Sequence, residues 1–239
     1  MTTTLSEHSA EIHHSHRDVT GGWLRPATFG VMDGLVSNFA LVAGVVGGGA
    51  SSHTVVLTGL AGLVAGACSM ATGEFTSVSS QSELAQAEIE VERRELVRNP
   101  GGELAELTQM YEAKGLRPEL AAEVARELTS DPEVAWRVHA REELGVDPDD
   151  LPSPWVAAGS SFVAFAIGAV LPLLPFILGA TSLTLSLVVS GLGLLAAGGL
   201  VARLTAKPFW FGSTRQLVLG GLSAAVTYGI GLLVGAGLS

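Results

Sequence analysis

Two carboxylates interrupt long apolar stretches of this chain, and their chemistry is the first that the sequence points to. Asp33 lies in the first apolar stretch and Glu74 at the end of the second. Ionisable groups inside a membrane are costly, so they are functional candidates by default. Met70 precedes Glu74 by four residues and shares its helix face, whereas Ser37 and Asn38 follow Asp33 by about one turn and add neutral oxygen atoms.

These side chains form a ligand set for a divalent metal ion. Carboxylate, thioether, amide and hydroxyl groups suit a moderately soft ion such as Fe²⁺ better than they suit Ca²⁺. The carboxylates also bind protons, so metal and proton would compete for one site, which is the physical basis of exchange transport. The alternative interpretation is that Asp33 begins an interfacial Asp-Gly turn and that Glu74 extends into water.

A second group of candidate ligands lies between the second and third apolar stretches, where acidic residues recur at helical intervals. Its members are Glu88, Glu92 and Glu95, then Glu103 and Glu106, and finally His139 with Glu143. Carboxylates on one helix face repel one another and cost stability unless a cation lies between them. The alternative is a solvated acidic face that nearby arginines partly neutralise.

Histidines in the N-terminal tail and the single cysteine give weaker signals. The tail carries four histidines that could hold a metal loosely: His8, His13, His14 and His16. Cys68 excludes a disulfide within the chain. Because it lies in an apolar run, we interpret it as a small buried side chain.

The elements that must position these residues are helices, five of which are expected to cross a membrane. A spanning helix needs about 20 mostly apolar residues, and five stretches qualify: 29–49, 54–73, 155–178, 183–204 and 217–238. With 48% hydrophobic residues and a mean hydropathy of +0.44, the chain is more apolar than most soluble domains. Pro172 and Pro175 should kink the third stretch or end it early.

Charge is concentrated in one segment of the chain. Of the 23 acidic residues, 18 lie between Glu83 and Asp150 together with eight of the 13 lysines and arginines, so this segment carries the whole formal net charge of −10. Two solvents are implied, namely lipid for most of the chain and water for this acidic insert. Helices are expected in the insert over residues 83–97, 103–114, 118–128 and 132–144.

Basic residues outside the insert orient the five-span arrangement. Arg17 and Arg25 precede the first span, and Arg203, Lys207 and Arg215 flank the connection between the fourth and the fifth. With five spans, every lysine and arginine falls on one side, as the positive-inside rule requires of the cytoplasmic face. The N-terminus and the insert are therefore predicted to be cytoplasmic and the C-terminus to lie outside.

The sequence thus predicts an all-α, polytopic membrane protein with five transmembrane helices and a cytoplasmic helical metal-binding insert between helices 2 and 3. Its predicted parts are a polar tail (1–25), transmembrane helices 1 and 2 (26–80), the acidic metal-binding domain (81–150) and transmembrane helices 3 to 5 (151–239).

Three motifs, in this order, resemble the vacuolar iron transporter family of plants, fungi and bacteria. Residues 30–39 (GVMDGLVSNF) are similar to its first-helix signature, residues 65–74 (AGACSMATGE) to its second-helix Ser-Met motif, and residues 143–145 (ELG) to the Glu-Leu-Gly before its third span. The resemblance covers nearly the whole chain from Arg25 onward. It implies five spans per subunit, a homodimer with a pathway between the subunits, and a cytoplasmic metal-binding domain.

The resemblance also implies roles for individual residues. Asp33 and Met70 match the metal-binding Asp and Met of the membrane pathway. The domain's metal-binding glutamates are matched by Glu92, Glu95, Glu103, Glu106 and Glu143. The chain departs from the family at two places. His139-Ala140 stands where some members have paired methionines, and Gly62 stands where some carry a carboxylate, a role that we expect Glu74 to take.

Together these features predict a transporter and not an enzyme. Cytoplasmic Fe²⁺ would be collected by the acidic insert, passed to Asp33 and Met70, and released on the outer side in exchange for protons. A bacterial member of the family would lie in the plasma membrane. The expected partners are divalent metal ions, protons, the lipid bilayer and a second copy of the chain, with no nucleic acid.

Three alternatives remain open at this point. The transported ion could be Mn²⁺, because oxygen-rich sites discriminate poorly between neighbouring metals, and Zn²⁺ or Co²⁺ could also bind to the insert. The protein could instead be a membrane-anchored metal sensor or buffer that binds metal without flux. An intramembrane hydrolase that uses Asp33 and Glu74 has no motif in its support.

Overall fold

The computed structural model describes residues 22–238, and every regular element in that range is a helix. The four histidines of the N-terminal tail lie outside the described residues. In chain order the helices are α1 (Leu24–Gly47), α2 (Ser52–Arg98), α3 (Pro100–Ala113), α4 (Pro118–Leu128), α5 (Pro132–Glu142), α6 (Pro154–Val170), α7 (Leu174–Ile177), α8 (Leu183–Leu204) and α9 (Phe209–Leu238).

Within residues 22–238, five helical segments are long and apolar enough to cross a membrane, and each overlaps one of the five predicted stretches. They are Leu24–Gly47, Ser52–Arg98, Pro154–Ile177, Leu183–Leu204 and Phe209–Gly237. Many large apolar side chains on these segments are exposed. This exposure is typical of helices whose backbone is satisfied internally and whose surface contacts lipid.

The third of these segments is interrupted at its prolines, as the sequence predicted. α6 ends at Val170, a 3₁₀ turn covers Leu171–Leu173, and α7 follows at once. Proline supplies no backbone N–H, so carbonyl groups near the break need other donors. Asn38 Nδ2 donates to the carbonyl of Ala169 at 2.5 Å, and Ser186 Oγ donates to that of Pro172 at 2.7 Å.

The acidic insert begins without any break in the second apolar helix. α2 is a single helix of 47 residues, so the helix predicted over 83–97 is its outer part, and the predicted boundary at residue 81 falls inside it. Residues 75–98 contain no glycine or proline that would end the helix. At 1.5 Å per residue they extend α2 by roughly 36 Å beyond Glu74.

Three short helices complete the insert. α4 has the bounds that the sequence predicted, whereas α3 begins three residues earlier than expected, because Asn99 caps it and accepts a hydrogen bond from the Gly102 amide at 3.3 Å. Proline in the first turn favours the same start. α5 packs against α2 through a small apolar core of Ile89, Trp136 and Ala140.

α1 occupies the centre of the apolar bundle and lies against α2, α6, α8 and α9. Its contact with α6 is a direct approach of two backbones. A Cβ atom at Gly34 would meet the backbone of Phe165, and one at Gly168 would meet the backbone of Val31. Small residues permit such close packing of helices in lipid. The α1–α6 contact therefore fixes where α1 places its polar residues.

Gly168→Ala should destabilise the bundle, because the added methyl group meets backbone atoms that cannot move aside. Gly159→Ala on the same helix is the matched control, since a Cβ there meets nothing within 4 Å. We expect Gly168→Ala to lower the free energy of unfolding by about 1–3 kcal/mol relative to the control. Thermal unfolding of both variants in detergent measures this, and equal unfolding temperatures would contradict the packing described here.

Candidate metal centre

Four potential metal ligands converge where α2, α3 and α5 meet. Glu92, Glu103, His139 and Glu143 each offer one ligand atom, and the four atoms lie within 4.8 Å of one another. The first three side chains are buried and Glu143 is half-buried. Each of the four was predicted as a ligand from the sequence.

The local fold explains this convergence. The turn at Asn99 reverses the chain between α2 and α3, which brings Glu92 on one helix opposite Glu103 in the first turn of the next. His139 lies in the last turn of α5, and Glu143 follows as the residue that caps its C-terminus. The apolar core beneath them holds α5 against α2.

His139 lies at the centre of the cluster, with an exposed fraction of 0%. Its Nδ1 atom is 2.6 Å from Glu143 Oε1, 3.1 Å from Glu92 Oε1 and 3.7 Å from Glu103 Oε2. Nδ1 is therefore the imidazole atom that faces the three carboxylates. Glu92 Oε1 and His139 Nε2 are buried without a hydrogen-bond partner among residues 22–238.

The pKa of Glu92 is raised from 4.5 to about 8. Burial contributes most to this rise, and the charges of Glu143 and Glu103, a hydrogen bond with Glu103 and the charge of Glu106 add to it. Without a cation, like charges held together away from water keep a proton at this site at neutral pH. A divalent ion would supply the missing positive charge and displace that proton.

The cluster has the chemistry of a divalent metal site. Three carboxylates and one imidazole are ligands that Fe²⁺, Mn²⁺, Zn²⁺ and Co²⁺ all accept. Two ligand atoms bound to one such ion lie at most about 4.2 Å apart. Since the four atoms are already within 4.8 Å of one another, a small closure of the side chains would bring all of them to bonding distance.

Three further glutamates that the sequence placed in this group lie outside the cluster. Glu95 is half-buried and 3.7 Å from the guanidinium of Arg98. Glu106 is exposed, although its charge contributes to the raised pKa of Glu92. Glu88 is exposed. These three remain predicted ligands, with Glu95 and Glu106 one helical turn beyond the members of the cluster on α2 and α3.

Two of the predicted ligands in the apolar bundle, Asp33 and Met70, are half-buried and lie on different helices. Asp33 on α1 accepts a hydrogen bond from Ser37 Oγ at 2.8 Å. Met70 on α2 packs against an apolar cluster that includes Ala169 of α6. Asn38, which the sequence grouped with Asp33, is bonded to that same α6 residue. Helix periodicity explains the divergence, because positions five apart point about 140° apart around a helix.

Glu74 has a partner that the sequence analysis missed. Its side chain is 10% exposed, and Oε2 lies 3.7 Å from Arg25 Nη1 at the start of α1. That distance is too long for a hydrogen bond, and Oε2 has none from any described residue. The position of Arg25 directly before the first apolar stretch was the available signal, but only the packing of α1 against α2 brings the two charges together.

The metal-free insert should lose stability as the pH rises. A carboxyl whose pKa is raised by folding stabilises the folded state at pH values below its unfolded pKa, and that contribution is lost as the pH rises through the folded pKa. For Glu92 the two values are 4.5 and about 8. We therefore expect hydrogen exchange of the α5 amides, corrected for intrinsic rates, to accelerate from about pH 5 to about pH 8.

Added divalent metal should reverse this acceleration, and Glu92→Gln should abolish it. Glu90→Gln on the exposed face of the same helix is the control and should keep the wild-type pH dependence. Protection of α5 that does not change with pH in the metal-free protein would contradict the assignment of a buried, protonated Glu92.

Comparison with known proteins places the chain in a family. A model described as the VIT family matches residues 24–232. The chain is 36% identical over 223 residues to the "Vacuolar iron transporter" of Acanthamoeba castellanii, covering 90% of this chain and 79% of that protein. It is 31% identical over 222 residues to "Vacuolar iron transporter 1" of Oryza sativa subsp. japonica, covering 91% and 88% respectively. This chain is a member of the VIT family.

Proposed function

We propose that this protein transports divalent iron out of the cytoplasm across a membrane in exchange for protons. The observation that carries the proposal is the cluster of Glu92, Glu103, His139 and Glu143, whose ligand atoms lie within 4.8 Å of one another. Membership of a family whose curated relatives are named vacuolar iron transporters supports iron as the cargo.

The ion's route would begin at this cluster and continue along α2. Glu92, Glu74 and Met70 all belong to this one helix, and Glu92 lies 18 residues, or roughly 27 Å, beyond Glu74. The insert would raise the local concentration of metal ions near the membrane surface, from which Glu74, Asp33 and Met70 accept them. Glu74 has Arg25 beside it, so an arriving cation would compete with a guanidinium for this carboxylate.

Proton exchange would follow from the chemistry of the carboxylates. Asp33 lies half-buried in a helix long and apolar enough to cross the membrane. A carboxylate in such surroundings holds either a metal ion or a proton, because leaving the charge without a partner is costly. After the metal ion is released on the outer side, a proton from that side would bind the Asp33 carboxylate. The empty site would then be neutral when it faces the cytoplasm again.

The proposed orientation puts the insert in the cytoplasm and the C-terminus outside. Every lysine and arginine then falls on the cytoplasmic side of the five spans. The exposed Trp23, Trp155 and Trp210 would anchor at the cytoplasmic headgroups, since each lies at that end of its helix. We place the protein in the plasma membrane, where export would remove iron from the cytoplasm.

A second copy of the chain would complete the pathway. Two of the five candidate spans in the described part of the chain are largely uncovered in the single chain: 17% of the apolar window of α2 and 11% of that of α9 are buried. The uncovered face of α2 carries small and polar residues among the apolar ones, including Ser69, Thr72 and Cys68, whose side chain is exposed and not buried as the sequence predicted. A helix that carries Met70 and Glu74 and has a free face is a suitable interface for a homodimer with a pathway between its subunits.

One alternative function has an observation in its favour. All four clustered ligands belong to the insert, so the protein could bind metal as a membrane-anchored sensor or buffer without moving it. This alternative predicts tight binding and no flux. The ion could also be Mn²⁺, because carboxylates and imidazole accept it as well.

Asp33→Ala should abolish iron transport, since it removes the carboxylate at which metal and proton would compete. In anaerobic proteoliposomes we expect a proton gradient to drive Fe²⁺ in the opposite direction through the wild-type protein. The variant should show only the Fe²⁺ leak of empty liposomes. Phe29→Leu, at an exposed apolar position of the same helix, is the control. Unchanged flux in Asp33→Ala would contradict the pathway assignment.

Replacing two clustered carboxylates should weaken metal binding to the full-length protein. For Glu92→Gln with Glu143→Gln we expect an affinity at least about tenfold lower, because hydrogen-bonding or ionic contacts to charged groups are each worth about 1.5–3 kcal/mol. Glu83→Gln with Glu90→Gln, both exposed on α2, is a control with two substitutions of the same kind. Titration calorimetry that gives equal affinities for the two double variants would remove the cluster as the binding site.

A further inference from the structure

A groove lies at the end of the helical bundle from which the insert extends. Its walls come from the start of α1, the end of α8, the part of α2 just beyond Glu74 and the segment that precedes α6. The groove has a volume of about 700 Å³, which is within the range of sites that hold small molecules. The candidate metal ligands are not among the described residues that line it, so the groove is separate from both metal sites.

The groove is polar at one end and apolar at the other. Arg25, Gln81 and Thr205 line the end near the insert, whereas Met32 and Val201 line the part deeper in the bundle. Met32 lies seven residues, or roughly 10 Å, beyond Arg25 along α1, and Val201 lies four residues, or roughly 6 Å, before Thr205 along α8. A phospholipid has the same profile, with a charged headgroup at the membrane surface and apolar chains below it.

Positive charge prevails in the membrane part of the chain at this end of the bundle. Residues 22–82 and 151–238 contain two acidic and four basic residues, and the basic ones are Arg25, Arg203, Lys207 and Arg215. All four lie at or near helix ends on the side of the insert. α1 begins there with no acidic residue in its first turn, so the positive end of its dipole adds to the same field.

The acidic residues of the insert on α2 do not cancel this field. They begin at Glu83, nine residues or roughly 13 Å beyond Glu74. That separation exceeds the screening length of about 8 Å in physiological salt. An anion at the mouth of the groove therefore interacts with the nearby basic residues more strongly than with these carboxylates.

Arg25 is the basic residue of the groove lining, and its guanidinium is open to a further acceptor. Its side chain is 78% exposed, and Nη1 lies 3.7 Å from Glu74 Oε2, too far to donate a hydrogen bond. A guanidinium donates from five N–H positions in a geometry that matches the oxygen atoms of phosphate groups. At the membrane surface, a lipid phosphate is the acceptor that this side chain fits best.

We propose that the groove binds an anionic phospholipid from the leaflet on the side of the insert. Its phosphate contacts Arg25, and the upper part of one acyl chain lies beside Met32 and Val201. A soluble anion does not account for the apolar end of the groove, and a wholly apolar ligand does not account for the exposed guanidinium. This inference concerns a lipid site and does not rest on ion transport.

Arg25→Gln should weaken the binding of anionic lipid. The measurement is the rise in unfolding temperature of the full-length protein in a non-ionic detergent as phosphatidylglycerol or phosphatidylcholine is added, because a ligand of the folded state stabilises it. We expect the wild type to bind phosphatidylglycerol more tightly than phosphatidylcholine. The variant should bind phosphatidylglycerol about fivefold more weakly than the wild type does, the effect of one basic residue at a charged membrane surface.

Arg215→Gln is the matched control for this charge. It removes one positive charge at the same end of the bundle, from a residue outside the groove lining. Its affinity for both lipids should equal that of the wild type.

Val201→Phe tests the apolar end and leaves Arg25 unchanged. The larger side chain fills the space assigned to the acyl chain, so both lipids should bind about tenfold more weakly, the effect of displacing about two methylene groups. Val218→Phe is the control, since Val218 is 59% exposed on α9 and lies outside the groove lining. If Arg25→Gln does not give monodisperse protein, this pair decides the question.

Three results would overturn the lipid site. Equal affinities of the wild type, Arg25→Gln and Val201→Phe for phosphatidylglycerol would show that lipid does not bind in the groove. Equal stabilisation by glycerol 3-phosphate, which carries a phosphate without acyl chains, would assign the groove to a soluble anion. A lower particle mass of Arg25→Gln in light scattering would assign it to a contact between subunits. These measurements use neither metal nor a gradient, so their outcome is independent of the proposed transport.

Discussion

Holding like charges together away from water is the physical constraint on which the insert depends. Three carboxylates surround the fully buried imidazole of His139, and burial with mutual repulsion raises the pKa of Glu92 to about 8. A divalent cation offsets both effects at once, and a proton offsets them only in part. Under the proposed function the same competition between metal and proton would govern Asp33 in the apolar bundle, so a single electrostatic principle would link the two sites.

The long helix α2 connects these sites mechanically. It is continuous from Ser52 to Arg98 and carries candidate ligands both in the insert and in the apolar bundle. The segment between α5 and α6 makes two polar contacts with neighbouring helices. Its Asp147 lies 2.8 Å from Arg141 of α5, and the carbonyl of its Pro152 accepts a hydrogen bond from the hydroxyl of Ser82 on α2 at 3.1 Å. The first contact holds this segment against α5, and the second holds its end against α2.

Much of this architecture could be predicted from the sequence because its signals are local. Twenty-residue apolar stretches, two prolines and the turn at Asn99 are enough to place the five long helices and the insert. The boundary predicted at residue 81 falls inside the continuous helix α2, and the reason is physical. The composition changes there from apolar to charged, but the helix propensity of the residues does not change. The helix therefore continues from the apolar part of α2 into its charged part.

The candidate site depends on contacts that no local pattern encodes. Helical spacing predicted which glutamates share a face, but which of them converge is decided by where α3 and α5 cross α2. That crossing selects Glu92 and leaves Glu88 in water. The ion pair of Glu74 with Arg25, and the bond that turns Asn38 towards α6, likewise arise from helix packing. The motifs shared with the VIT family identified the ligand types, and the fold supplied their arrangement.

The most direct test of the central claim is a simultaneous record of Fe²⁺ and proton movement in proteoliposomes that contain the wild-type protein. Fe²⁺ would be supplied anaerobically on the side of the insert, with a pH-sensitive dye reporting protons. Antiport predicts that metal entry drives protons in the opposite direction and that an imposed proton gradient accelerates metal entry. Tight binding of Fe²⁺ with no movement of either ion under any gradient would contradict transport.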